Sequence, residues 1–132
     1  MIRQIKVILL FLIVTCIFCG LTKEQIKELQ SKLLIKQEGE NVFFCFHRPD
    51  IEMDIREIEV NQIGIRPAKE IWKVRFPEKP LELNCVKYGD SFPIGVVKTQ
   101  PSKLQKGKSY YAQITPVDTD LQSIPRGKFV KE

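Results

Sequence analysis

The chain has 132 residues, 43% hydrophobic and 28% charged, which fits one hydrophobic core and is too short for two. The formal net charge is +5, and without Arg3 and Lys6 of the N-terminal leader the excess is about +3, with the two signs interleaved as in Arg56-Glu57 and Lys69-Glu70. No basic block with interleaved aromatics occurs, so the pattern gives no reason to expect a nucleic-acid partner.

Residues 1–19 read as an export signal. Arg3 and Lys6 precede an apolar run from Val7 to Phe18, broken only by Thr15, and Gly20 follows Cys19. A basic start, a short apolar core and a small-residue exit are the marks of a secretory signal. The run is shorter than the roughly 20 residues of a comfortable membrane span. An uncleaved anchor helix is the alternative. Ile13-Val14-Thr15-Cys16 is an imperfect lipobox, with Thr before the Cys. Cys19 is the second candidate for lipidation.

Residues 20–34 read as a linker with one short amphipathic helix. Thr22 is a candidate N-cap and Gln25 completes a capping box. Ile26, Leu29 and Leu33 share a helical face, which would lie on a membrane or cover an edge of the domain.

From residue 35 to 132 the period becomes that of strands. Leu33-Leu34-Ile35 and Val42 to Phe46 flank a polar loop containing Gly39, a hairpin signal. Phe44 and Phe46 alternate with Phe43 and Cys45, so both faces are apolar and the strand is expected to be central. Ile55 to Ile65 alternates with a fault, and Asn61-Gln62 is expected to mark a bulge or turn. Ile71 to Phe76 alternates cleanly, placing Trp72, Val74 and Phe76 inward and Lys73 and Arg75 outward. Leu81, Leu83 and Cys85 are expected on one face. Ile94 to Val97, Ser109 to Thr115 and Gly127 to Val130 supply further strands, the last at an edge, with turns at Tyr88-Gly89-Asp90 and Lys106-Gly107-Lys108. About seven short strands with regular turn signals predict an all-β, antiparallel sandwich. The order Cys45, Trp72, Cys85 is similar to that of immunoglobulin domains, although the two Cys stand too close in sequence. The immunoglobulin-like reading is therefore architectural.

Two Cys in an exported domain are expected to pair. A Cys45–Cys85 disulfide would close a loop of about 40 residues. Two buried free thiols are the alternative. Catalytic signals are weak. His47 is the single His, Ser91, Ser102, Ser109 and Ser123 lack the glycine context of a nucleophile elbow, and Glu57 with Glu59 reads as the solvated face of a sheet. Neither a metal nor a cofactor motif is present, so the expectation is a binding protein that is not an enzyme and takes no cofactor. Pro116 to Pro125 is the longest polar connection. Asp118 and Asp120, with Arg126 and Lys128 beside them, give that end a mixed charge pattern suited to selecting one protein partner.

Four stretches occur in order: Asn41-Val42-Phe43-Phe44-Cys45-Phe46, Glu70-Ile71-Trp72-Lys73-Val74-Arg75-Phe76-Pro77, Cys85-Val86-Lys87-Tyr88-Gly89 and Leu104 to Tyr111. In this the chain resembles a family of small periplasmic lipoproteins, some of them described as type VI secretion immunity proteins. The resemblance covers roughly Asn41 to Thr115, and its motifs are structural. It implies a lipid-anchored protein on the periplasmic side of the envelope that neutralises a toxin effector by binding it. The departures are the imperfect lipobox and a helical 22–31 where a short linker is expected. A structural or assembly component of the envelope is the alternative function.

Overall fold

The structure is a computed structural model and describes Thr22, Glu24, Gln25 and residues 31–46, 53–117 and 124–132. Among these residues it is all-β, with two antiparallel sheets arranged like a sandwich. The strands are β1 (Leu33–Glu38), β2 (Asn41–Phe46), β3 (Met53–Ile63), β4 (Lys69–Arg75), β5 (Leu81–Leu83), β6 (Cys85–Lys87), β7 (Val96–Thr99), β8 (Ser109–Pro116) and β9 (Arg126–Val130). The smaller sheet runs β1-β2-β6. The larger runs β7-β4-β3-β8-β9, with β5 also paired to β3. Nine strands among the described residues replace the seven or so expected, and the stretch expected as one face from Leu81 to Cys85 is divided between β5 and β6, three residues each, in different sheets.

At the start of the described chain, Thr22 and Gln25 exchange the two bonds of a capping box. The Thr22 amide donates to Gln25 Oε1 at 3.0 Å, and the Gln25 amide donates to Thr22 Oγ1 at 3.2 Å. The rest of that expected helix lies outside the described residues up to residue 30. Leu33, which the sequence places both on the helix face and in the first arm of the hairpin, begins β1 and is buried in the core. Three- and four-residue spacings suit Leu33 to Leu29, but pairing of Leu33 with Phe46 in the hairpin decides its state.

The β1–β2 hairpin turns on Gly39 and Glu40. Gly39 has a φ of 60°, the left-handed region that a two-residue turn needs at its first central position. β2 is central in its sheet, as its doubly apolar pattern predicts, with β1 and β6 on either side. Along one side, β1 lies beside β9 and ties the two sheets together. The Arg126 amide donates to the Ser31 carbonyl at 3.0 Å. The Gln37 side chain donates to the Val130 carbonyl at 2.8 Å and accepts from the Glu132 amide at 2.9 Å. On the other side, the chain passes from β5 in the larger sheet to β6 in the smaller through Asn84. That bend breaks the expected shared face. Leu81 and Leu83 pack against the core, but in β6 it is Val86 that is buried inward.

Two register shifts in the larger sheet aim its core residues. The ladder between β3 and β8 shifts between Ile55 and Glu57, which lets Ile55 face inward with Ile58 and Val60 despite their odd spacing. The Arg56 guanidinium, from the extra residue at this shift, donates to the carbonyls of Phe76 at 3.0 Å and Pro77 at 3.2 Å, just past β4. The fault expected near Asn61 is a second shift, between Val60 and Asn61. Its extra residue is Ile71 on β4, so Ile71 and Trp72 are both buried, while β3 continues to Ile63.

Trp72 fills the core as its parity predicts, 1% exposed and covered by Tyr88 edge-on at 5.1 Å and Phe92 at 6.4 Å between ring centroids. Gly95 lets β7 close on this cluster, since a Cβ there would stand 2.8 Å from Val74 and 2.9 Å from Phe76. Tyr110, Ala112 and Ile114 of β8 face inward.

The Tyr88 hydroxyl donates to the Ser102 carbonyl, holding the 88–92 turn over Trp72. Burial, and then the nearby Tyr110, push the Tyr88 phenol up to about 12. A raised acid pKa favours the protonated ring in the folded state. Its contribution to stability is complete below the unfolded value near 10 and disappears as pH rises from there toward about 12. Titration followed at 295 nm is expected to show one tyrosine ionising well above the usual range, with that late step absent in Tyr88→Phe. A late step that survives this substitution belongs to another ring.

A charged sheet face as candidate interaction site

The larger sheet turns its inner face to the core, and alternation places every second residue on the outer face. Pairing register sets which of these become neighbours. Glu57 of β3 stands opposite Arg75 of β4 and Thr115 of β8, and Glu59 stands opposite Lys73 and Gln113. Asn61 is opposite Tyr111, while Gln113 and Tyr111 in turn face Arg126 and Lys128 of β9. The face therefore reads across the sheet as rows that join β4 to β9.

Its β3–β4 half is an ion-paired network around Lys73. The Lys73 ammonium lies 3.3 Å from Glu70 and 3.8 Å from both Glu57 and Glu59. Arg75 Nε donates to Glu57 at 2.6 Å, the Asn61 side chain donates to Glu59 at 3.0 Å, and the Thr99 hydroxyl donates to Glu70. Partial burial acts to lower the Lys73 pKa. The hydrogen bond to Glu70 and the fields of Glu57 and Glu59 outweigh it, and the net shift is upward. The Thr99 hydroxyl, offset in part by desolvation and then reinforced by Lys73 and Arg75, holds Glu70 below the usual carboxylate value. Arg75 is raised chiefly by its bond to Glu57. Three carboxylates thus share two cations, and each already has a donor within the sheet.

The β9 half differs. Arg126 and Lys128 are exposed, and neither makes an ion pair among the described residues. Between them Gly127 faces the other way, where a Cβ would meet Ile35 of β1 at 3.1 Å. Close approach of β1 therefore fixes the outward direction of both basic side chains. Tyr111 and Gln113 lie half-buried beside them.

The disulfide is formed. Cys45 and Cys85 are directly opposite in β2 and β6, with Cα atoms 4.1 Å apart. The Phe46 amide donates to the Asn84 carbonyl one step along, so the cysteines occupy a pair not bonded through its own backbone groups, where strands come closest. Immunoglobulin cysteines join two sheets. Here both lie in one sheet, so the likeness stops at the sandwich arrangement. Cys16, Cys19, His47, Asp118 and Asp120 lie outside the described residues. Glu57 and Glu59 occupy the polar face expected of them. Sequence reasoning missed the part played by Glu70, Thr99 and Tyr111, which reach this face through a bulge and two non-local strand pairings.

No group of three or more His, Cys, Asp or Glu among the described residues is placed to hold a metal ion. A cleft of about 500 Å³ between the β1–β2 turn and the 103–106 loop has Lys131 as its floor, with Lys103, Lys106, Glu40 and Glu132 around it. Lys131 Nζ is spent on the Gly39 carbonyl at 3.3 Å and a Glu132 oxygen at 2.8 Å, so this charge ties the hairpin to β9. No helix among the described residues is long and apolar enough to cross a membrane. No family model and no curated protein matches this chain.

Proposed function

We propose that this is an exported envelope protein that acts by binding one protein partner stoichiometrically, as an immunity protein does when it neutralises a toxin delivered to the periplasm. The observation that carries the reading is the outer face of the larger sheet. Its β3–β4 charges are held in place before any partner arrives, and on its β9 side Arg126 and Lys128 make no ion pair among the described residues. Fixed polar groups of this kind give partner selection more than raw affinity. The Cys45–Cys85 bond supports an oxidising compartment. The leader supports attachment to the membrane on the periplasmic side, with Cys16 or Cys19 as the lipidated residue and the sandwich domain held outside.

The test is crosslinking of the full chain in its native envelope, followed by calorimetry with the purified partner and co-expression with any toxin encoded beside it. The expected result is a saturable one-to-one complex and protection from the toxin. Catalytic turnover of an envelope substrate by the purified chain would overturn the binding reading.

A structural or assembly role is the second reading. It is favoured by β7, an edge strand of four residues whose neighbourhood exposes Ile94, Val96 and Val97. Such an edge can accept a strand from another subunit. Co-purification with a larger complex through this edge, without toxin protection, distinguishes it.

A further inference from the structure

We infer that the β9 side of the charged face receives an acidic segment of the partner protein, gripped by Arg126 and Lys128 with Tyr111 and Gln113 between the strands. The inference rests on the binding function proposed above and names the partner's chemistry.

Charge accounting on the face carries it. Three carboxylates at the centre of the β3–β4 half are engaged inside the sheet: Glu57 by Arg75 and Lys73, Glu59 by Lys73 and Asn61, Glu70 by Lys73 and Thr99. Arg126 and Lys128 have no such partner among the described residues, and they are two positions apart on one strand. They therefore project from the same face about 7 Å apart. Gly127 and the β1 contact behind it keep them from rotating inward. The pairs Arg126 with Gln113 and Lys128 with Tyr111 set an amide and a phenol ring beside the two cations. A guanidinium and an ammonium at this spacing match carboxylates on alternate residues of an extended chain, which repeats every 7 Å or so.

An anionic membrane surface is the competing source of negative charge. It fits less well. A broad surface laid on this sheet would meet Glu57, Glu59 and Glu70 in the adjoining rows, whereas the charges that a single chain along the outer face of β9 meets on that strand are Arg126 and Lys128.

The experiment uses the full chain in a neutral detergent, titrated with a hexaglutamate peptide and followed by backbone amide shifts. Shifts are expected at Tyr111, Gln113, Arg126 and Lys128. Affinity is expected to fall about tenfold in the Arg126→Glu, Lys128→Glu double variant and by a similar factor at high salt. A hexaglutamine peptide is expected to give no shifts. Both side chains are exposed, so the variant should melt with the wild type. Equal peptide binding by the variant, or shifts confined to another face, would overturn the inference. So would absence of peptide binding together with co-sedimentation on phosphatidylglycerol vesicles that depends on Arg126 and Lys128. If the native partner still forms its one-to-one complex with the double variant, the acidic-segment inference fails and the binding function stands. If no one-to-one partner exists, the binding function itself fails.

Discussion

Changing Cys45→Ala together with Cys85→Ala is expected to cost about 4 kcal/mol, the loop-closure entropy released by opening a loop of that size. The sequence separation is 40. For a small domain this is a large share of the total stability, and it should lower the melting temperature by about 15–30 °C. Local structure makes the staple matter. β6 has three residues and one strand neighbour, β2. Besides the disulfide and its short antiparallel pairing of Phe43 with Lys87 and Phe44 with Val86, it is held by the bond from the Phe46 amide to Asn84, the bond from the Tyr88 amide to Val42 at 2.8 Å, and burial of Val86. Immediately after β6 comes the turn that brings Tyr88 and then Phe92 over Trp72. Loosening β6 therefore uncovers the core. Calorimetry or circular dichroism of the variant measures the loss, and alkylation before reduction should find both thiols blocked in the wild type. Two freely alkylated thiols in exported wild-type protein would sink the expectation.

Trp72→Ala is expected to cost about 3–5 kcal/mol, the range for removing a large aromatic side chain from a packed core. The ring is fully enclosed, and its loss removes the surface on which Tyr88 and Phe92 rest. Phe92 also meets Phe76 edge-on at 5.6 Å, so the cavity cannot close without moving a second aromatic pair. Trp72→Phe keeps part of the packing and should cost less than half as much. Urea unfolding followed by circular dichroism gives both values. As the only Trp in the chain, the wild-type residue should emit at short wavelength until the protein unfolds. A loss below 1 kcal/mol for the alanine variant would mean that the ring does not bear on the core.

These two expectations draw on features legible in the chain. Alternation through Ile71 to Phe76 separates Trp72, Val74 and Phe76 from Lys73 and Arg75, because a strand sends successive side chains to opposite faces. Gly39 within a polar stretch marks a turn that requires a positive φ. The Thr22–Gln25 capping box is local chemistry, and its two bonds form within three residues. The cysteine pair follows from reading residues 1–19 as an export signal and from the number of cysteines left in the domain.

What the sequence by itself determined is thus the all-β character, the inward residues of the regular strands, the hairpin and the disulfide. Each depends on contacts within a few residues or on a choice with few alternatives. Tertiary structure alone decided the rest. Between the two sequence readings of Leu33, helix face or hairpin arm, its pairing with Phe46 decides for the strand. Cys85 lost the face of Leu81 and Leu83 because the chain changes sheets at Asn84. Ile55 and Ile71 turned inward because partner strands impose register shifts on their own strands. Arg126 and Lys128 joined the row system of Glu59, Lys73 and Asn61 because β8 lies between β3 and β9. Strand order and register are set by non-local pairing, and a one-residue shift there moves a side chain from core to solvent.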